Sequence, residues 1–333
     1  MESRYARQEC WPGIGLAGQE RIRSKHVVII GCGALGSANA EALTRAGIGT
    51  LTIVDRDYVE YSNLQRQQLF TEEDARREVP KVIAARQKLV QINSEVVIHA
   101  HVMEATATTL PDILEGVDVV VDATDNLDTR LLLNDLLQQM EIPWVFGSCA
   151  GSTGMSYTIL PGQTPCFHCL FGSTGGGATC GSMGIIGPAV QMVVAHQTTE
   201  VLKLLVEATS ALRSSLVTFD LWGNRYHQFN MQQARQETCP SCGKKRTYPY
   251  LRKRPMKATV LCGRETVLIR RGEAVDLSML RTKLLDMVTS ENEFFLTTVY
   301  NQMRLVFFRD GRTLVHGTSS VTEAKRAYYQ LLG

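Results

Sequence analysis

Val27-Val28-Ile29-Ile30-Gly31-Cys32-Gly33-Ala34-Leu35-Gly36 is the stretch that decides the fold. Its first four residues are apolar and β-branched, which suits a strand buried on both faces of a parallel sheet. The run stops at glycine, and a helix is expected from Ala34 to Ala46. A strand, a G-x-G-x-x-G turn and a helix open a β-α-β unit in which the glycines let the backbone approach phosphates at the helix amino end. Leu51 to Val54 reads as the next strand, and Asp55 at its end stands where such folds hold ribose hydroxyls. The loop alone leaves NAD, FAD and ATP open.

Further strands are expected at 96–100, 117–121, 144–147 and 216–221. The second of these apolar segments, 117–121, is followed by Asp122, expected to cap the next turn, and by Asp125, placed as a ligand at a strand's carboxyl end. The fold class is therefore α/β, a Rossmann-like doubly wound sheet. The glycine-dense stretch 172–187 predicts a mobile loop, and Pro188 opens a long helix to about residue 206. Residues 1–243 form the first domain in this reading, and 244–257 a basic, proline-containing linker. A small C-terminal α+β domain over 258–333 follows, with strands at 259–269, 294–299 and 303–308 and helices at 277–288 and 321–332. Asp310-Gly311 marks a hairpin within it.

The 333 residues are 44% hydrophobic, enough for one large and one small core. Lys+Arg number 35 against 33 Asp+Glu, a net charge of +2 without a basic block, so nucleic acid is not an expected partner. No apolar run is long enough to span a bilayer and no signal-peptide core follows Met1, so a cytoplasmic protein without membrane contact is expected. Nine cysteines in such a chain favour metal binding or reactive thiols over disulfides. Two Cys-x-x-Cys pairs, Cys166/Cys169 and Cys239/Cys242, together make a closed four-sulfur zinc site, structural because no position stays open for water. Two separate redox motifs are the competing reading of a long spacing. Pro240 and Gly243 suit a tight turn around a metal.

The segment from Asp55-Arg56-Asp57-Tyr58-Val59 through Ser62-Asn63-Leu64-Gln65-Arg66-Gln67 resembles the D-x-D-x-V-x-x-x-N-L-x-R-Q signature of the ThiF/MoeB/HesA family, bacterial relatives of ubiquitin-activating enzymes. Arg4-Tyr5-Ala6-Arg7-Gln8, Pro80-Lys81, Thr124-Asp125-Asn126 and the two cysteine pairs fit the same family in the same order, over about residues 4 to 243. The resemblance implies an adenylyltransferase. A small ubiquitin-like sulfur-carrier protein ending in Gly-Gly offers its terminal carboxylate to the α-phosphate of ATP, and pyrophosphate leaves. A ThiS-like carrier of thiamine thiazole synthesis is expected, with a MoaD-like carrier of molybdopterin synthesis as the alternative. A cysteine desulfurase would supply the sulfur later.

By the same resemblance Arg66 and Lys81 neutralise triphosphate charge, and Arg7 joins them from the second subunit of a homodimer. Asp125 associates with Mg²⁺, Asp55 holds the ribose, and Asn63 and Gln67 fix phosphate geometry. The expected nucleotide site comprises Gly31, Gly33, Ala34, Gly36, Asp55, Asp57, Ser62, Asn63, Leu64, Gln65, Arg66, Gln67, Lys81, Asp125 and Asn126. No general base is needed, because the attacking carboxylate is already ionised. Cys180 matches the place where some members carry a cysteine that bonds covalently to the carrier; the alternative is an incidental loop thiol. Cys32 is expected to pack rather than react, and Cys10, Cys149 and Cys262 to be structural. The family often has glycine where Ala34 stands. The tail beyond residue 247 lies outside the core resemblance and is not a rhodanese domain.

Overall fold

Strand β1 (His26–Ile30) lies inside an eight-stranded sheet whose other members are β2 (Thr50–Asp55), β3 (Val97–Val102), β4 (Val119–Asp122), β5 (Trp144–Ala150), β6 (Thr153–Ile159), β7 (Ser215–Asp220) and β8 (Arg225–Asn230). The computed structural model describes residues 3–172, 184–252, 257–261 and 265–332. The strand order is β3-β2-β1-β4-β5-β6-β7-β8. The first five strands are parallel, and β6, β7 and β8 add on antiparallel. Alternation explains the wholly apolar β1: Val27 and Ile29 face one core cluster, Val28 and Ile30 the other. Residues of the helices Ala34–Ala46, Lys81–Ile92 and Gly187–Leu205 join the first cluster, and those of Leu127–Met140 the second. The sheet is thus doubly wound, and the chain order reverses between β1 and β4, where such sheets bind ligands.

β6 and β8 give no clear sequence signal. β8, Arg-Tyr-His-Gln-Phe-Asn, is exposed along its whole length at the sheet edge, so it lacks the apolar alternation of a half-buried strand. A buried polar set ties the antiparallel half to the helix Gly187–Leu205. Glu200 accepts from Lys203 Nζ (2.6 Å), Thr158 Oγ1 (2.9 Å) and the Arg213 N–H (3.0 Å). Arg213 donates through Nη2 to the Ser156 carbonyl and through Nη1 to His196 Nδ1, both at 3.1 Å. A guanidinium has no acceptor, so His196 must be neutral with its proton on Nε2. Burial, followed by the Arg213 charge, lowers the His196 pKa. The unfolded chain therefore takes up this proton first, near pH 6.5. The contribution of His196 to stability is complete above that pH and is lost as pH falls below it. Calorimetric midpoints should decline from about pH 6.5 downwards. His196→Gln, which keeps an acceptor without a titration, should flatten that decline; an unchanged decline contradicts the assignment.

The chain divides into two units, Met1–Lys253 and Arg254–Gly333. Within the first, residues 244–252 are packed rather than extended: the Tyr250 N–H donates to Asp135 Oδ2 at 2.8 Å, and Leu251 joins the second core cluster. The second unit holds a six-stranded antiparallel sheet in the order β11-β12-β13-β14-β10-β9, made of β9 (Ala258–Val260), β10 (Thr266–Arg270), β11 (Val288–Glu291), β12 (Phe295–Tyr300), β13 (Met303–Phe308) and β14 (Arg312–His316). The helices Leu277–Leu284 and Val321–Leu332 share a core with Val267, Leu296, Leu305 and Val315. Asp310-Gly311 does turn a hairpin, with Gly311 at φ 84°. The strand expected over 259–269 is two strands, and the helix expected to residue 288 ends at Leu284, before Leu285 at φ 37°. Among the described residues no helix is long and apolar enough to cross a membrane.

Candidate functional site

Four strand ends build the site. Gly31 closes β1 at φ 95°, and a Cβ there would lie 2.6 Å from the Ala123 carbonyl oxygen. At Gly36 a Cβ would stand 1.8 Å from the Gly31 carbonyl oxygen, so only glycine lets the helix seat against its own loop. Ala34 begins that helix, where ordinary helical φ accommodates its methyl group. Around Gly33 a Cβ would find its nearest neighbour, Gln67 Nε2, 3.9 Å away, so this stretch of backbone is open. Gln67 is itself buried, and its Oε1 has no hydrogen-bond partner among the described residues. The Gln67 amide thus lies beside the open backbone at Gly33, where a buried acceptor without a partner costs about 1–3 kcal/mol.

Asp55 grips the glycine loop directly. Its Oδ2 accepts the Cys32 N–H at 2.5 Å and its Oδ1 the Asp57 N–H at 2.7 Å. Burial pushes its carboxyl upward, Lys81 pulls it down and Asp57 pushes it up again. Burial and the Asp55 charge also push the Cys32 thiol up, which suits packing and not reactivity. Lys81 starts the helix Lys81–Ile92, is 3% exposed, and places Nζ 3.5 Å from Asp57 Oδ2. Its backbone N–H donates to the Asp57 carbonyl at 2.9 Å, so strand end and helix start are locked together.

Arg56 is a residue that motif reasoning passes over. Its Nη1 is 2.7 Å from Glu104 Oε1, and its Nε 3.9 Å from Asp57 Oδ1. Burial alone would lower its pKa, but Asp57, Glu104, Asp125 and Asp55 outweigh that and raise it. A fixed cation thus lies among four carboxylates at the ends of β2 and β3 and the loop after β4. The sequence hides it because the central position of D-x-D carries no required residue type.

The turn Tyr61–Asn63 carries the rest of the motif. Asn63, 1% exposed, accepts the Glu60 N–H through Oδ1 at 3.1 Å, and its amide contacts Ser62 Oγ at 3.4 Å. Arg66 donates from Nη1 to the Ser62 carbonyl at 2.9 Å. Leu64 packs on the first core cluster, and Gln65 is exposed with Nε2 3.4 Å from the Ile185 carbonyl. Asn63 and Leu64 therefore shape the loop that presents Arg66 and Gln67.

Asp122 is fully buried at the end of β4. Oδ1 accepts both the N–H (2.9 Å) and the hydroxyl (2.7 Å) of Thr124, and Oδ2 faces Arg130 Nε at 3.1 Å. Burial raises its carboxyl, with Arg130 the leading influence that lowers it. Asp125 is exposed, and Asn126 caps the helix Leu127–Met140 by accepting the Thr129 N–H at 2.8 Å.

Arg7 is elsewhere in the same chain. It sits exposed in the short helix Ala6–Glu9. Tyr5 Oη accepts from Asn93 Nδ2 at 2.8 Å, and Gln8 donates to the Ala46 carbonyl at 3.0 Å. Ala46 and Asn93 close the helices that lead into β2 and β3, at the amino edge of the sheet. The glycine loop is at the carboxyl edge, roughly 20 Å away at about 3.3 Å per strand residue. Cys180 and most of the glycine-dense stretch lie outside the described residues.

The four predicted metal ligands do converge. Sγ of Cys166 is 3.8 Å from that of Cys169 and 3.6 Å from that of Cys239; Cys169 and Cys242 are 3.4 Å apart. All four sulfurs lie within 4.8 Å of one another. A zinc–sulfur length of about 2.3 Å in a tetrahedron sets sulfur–sulfur edges near 3.8 Å, so the cluster is compatible with zinc. Gly243 lets the second pair turn, with its N–H on the Cys239 carbonyl at 2.9 Å. Asn134 and Asp135 of the helix Leu127–Met140 hold the lobe, through the N–H groups of Phe167 and Tyr250, both at 2.8 Å.

Comparison with known proteins agrees with this geometry. A model described as the ThiF family matches residues 5–241. The sulfur carrier protein ThiS adenylyltransferase of Bacillus subtilis (strain 168) is 44% identical over 341 residues, covering 100% of both chains. The protein of the same name from Escherichia coli (strain K12) is 34% identical over 242 residues, 72% of this chain and 94% of that one. The crystal structure of E. coli MccB with MccA-N7isoASN shares the fold, with a TM-score of 0.62 at 22% identity over 73% of this chain and 75% of that one.

Proposed function

The chain belongs to the ThiF family, and on that footing we propose that it adenylates the C-terminal glycine carboxylate of a small ubiquitin-like sulfur carrier of the ThiS type. The observation that carries this reading is the end-to-end similarity to a ThiS adenylyltransferase, which includes the C-terminal unit. One carboxylate oxygen of the carrier attacks the α-phosphorus of ATP. The bond from that phosphorus to the bridging oxygen breaks, and pyrophosphate leaves with the electron pair. The product is a carrier acyl-adenylate.

The residues supply charge and placement. The open backbone at Gly33 and the amino end of the following helix receive phosphate oxygens. Lys81 and Arg66 neutralise charge as an anion approaches an anion, with Gln67 completing the cradle by donating its amide N–H to a phosphate oxygen. Asp55 holds the ribose at the end of β2. Asp125, an exposed carboxylate, would hold Mg²⁺, which takes one or two carboxylates plus phosphate oxygens and would neutralise triphosphate charge there. Arg7, anchored at the far sheet edge of its own subunit, reaches the site from the second subunit of a homodimer. Cys166, Cys169, Cys239 and Cys242 would hold a zinc ion that ties the two halves of the lobe together beside the helix Leu127–Met140. ATP as substrate and clustered reduced thiols fit the cytoplasm. Cys180 is the candidate acceptor for the activated carrier in a later step, with sulfur from a cysteine desulfurase.

Incubating the full chain with ATP, Mg²⁺ and a ThiS-like carrier, with pyrophosphatase present, should give an AMP adduct on the carrier by intact-mass measurement. A carrier truncated of its Gly-Gly end should give none. An adduct on the truncated carrier, or none on the intact one, overturns the proposal.

A further inference from the structure

Thr124 stands between the glycine loop and Asp125, and three of its hydrogen-bonding groups are held by two other residues. Asp122 Oδ1 accepts its N–H at 2.9 Å and its hydroxyl at 2.7 Å. Arg130 Nη2 donates to its carbonyl, and also to the Gly147 carbonyl at 3.0 Å on β5. Arg130 Nε closes the set on Asp122 Oδ2 at 3.1 Å, and the guanidinium lies 5.0 Å from the centre of the Phe146 ring. The pair is 0% and 11% exposed in its side chains. Behind it, Gln197 Nε2 donates to the Asp122 carbonyl at 2.8 Å and the Val145 carbonyl at 3.1 Å. In front of it, the Cβ that Gly31 lacks would meet the Ala123 carbonyl at 2.6 Å and the Thr124 nitrogen at 3.3 Å. Any shift of Thr124 is therefore felt by the glycine loop on one side and by Asp125 on the other.

We propose that Asp122 and Arg130 are positioning residues that fix the Asp125 carboxylate relative to the glycine loop, so that metal and triphosphate bind as one unit. Neither touches substrate. A buried ion pair is weak evidence for stability, because desolvation offsets its attraction, whereas a registry role explains why both charges converge on one turn. This inference rests on the reading of Asp125 as the metal-associated residue.

The test is the ratio of ATP affinities with Mg²⁺ and without added divalent cation, measured calorimetrically on the full, zinc-loaded chain. The parent is expected to bind ATP about tenfold more tightly with Mg²⁺. Asp125→Asn removes that gain. Arg130→Met is expected to remove it too, while ATP affinity without Mg²⁺ stays within about twofold of the parent. Thr124→Val deletes only the hydroxyl on Asp122 and should reduce the gain in part, which keeps the proposal testable where Arg130→Met fails to fold. A full Mg²⁺ gain in folded Arg130→Met, or in Thr124→Val where Arg130→Met does not fold, overturns the positioning role alone. Equal weakening with and without Mg²⁺ overturns it as well, since that is what a purely structural pair would give. No gain in the parent overturns the Asp125 reading and this inference together, whereas adduct formation on the carrier is read separately.

Discussion

Asp125→Ala is expected to lower ATP–pyrophosphate exchange by on the order of 10²–10³-fold, the range seen when one preorganised charge-stabilising group is removed. Its unfolding temperature should stay within a few degrees of the parent's. The two halves of that expectation come from one local fact. Asp125 is exposed and, among the described residues, makes no hydrogen bond that holds the fold. Its neighbours carry the architecture instead: Asp122 pins the turn and Asn126 caps the next helix. Deleting the carboxylate removes charge near the triphosphate and little else. Exchange assays with a melting curve on the same sample check both halves. Retained activity removes Asp125 from the mechanism. Lost activity with a collapsed melting temperature assigns it to structure.

Cys166→Ser is the second large effect, and it runs the other way. Cys166 is fully buried at the start of the helix Phe167–Phe171, and the next residue, Phe167, packs among Trp144, Phe146 and Phe171 at 4.8–6.0 Å between ring centres. A four-sulfur zinc site adds its binding free energy to folding, about 10–16 kcal/mol in isolated zinc peptides near neutral pH. Within a larger fold that already has a core, several kcal/mol of this should appear as lost stability. Metal analysis should find about one zinc per chain in the parent and little in the variant. A chelator should destabilise the parent and leave the variant unchanged. A parent without zinc, or a variant as stable as the parent, contradicts the metal site.

The sequence carried the nucleotide half of the molecule well, because each signal there has one physical cause. A strand buried on both faces must be apolar throughout, and 27–30 is. A helix cannot seat against its own loop at Gly36 with a side chain present, so the glycine is obligatory. The cysteine pairs were legible although they are far apart in the chain, since four thiols at Cys-x-x-Cys spacing have few other uses, and they meet as expected. What stayed hidden depended on long-range pairing. β8 is an edge strand without buried residues, so periodicity could not reveal it. Arg56, Arg130 and Gln197 look like ordinary helix or loop residues until the carboxylates and carbonyls that surround them are brought in from β3, β4 and β5. Arg7 was named from the motif, but nothing in a linear chain places it at the opposite edge of the sheet from the glycine loop.

The measurement that bears most directly on the adenylation reading is ATP–pyrophosphate exchange by the full-length protein, run separately with a ThiS-like and a MoaD-like carrier from the same cell. Exchange that depends on the ThiS-like carrier and is absent with the MoaD-like one is the expected result. Exchange with only the MoaD-like carrier would move the protein to the molybdopterin side, and exchange with neither would contradict carrier adenylation.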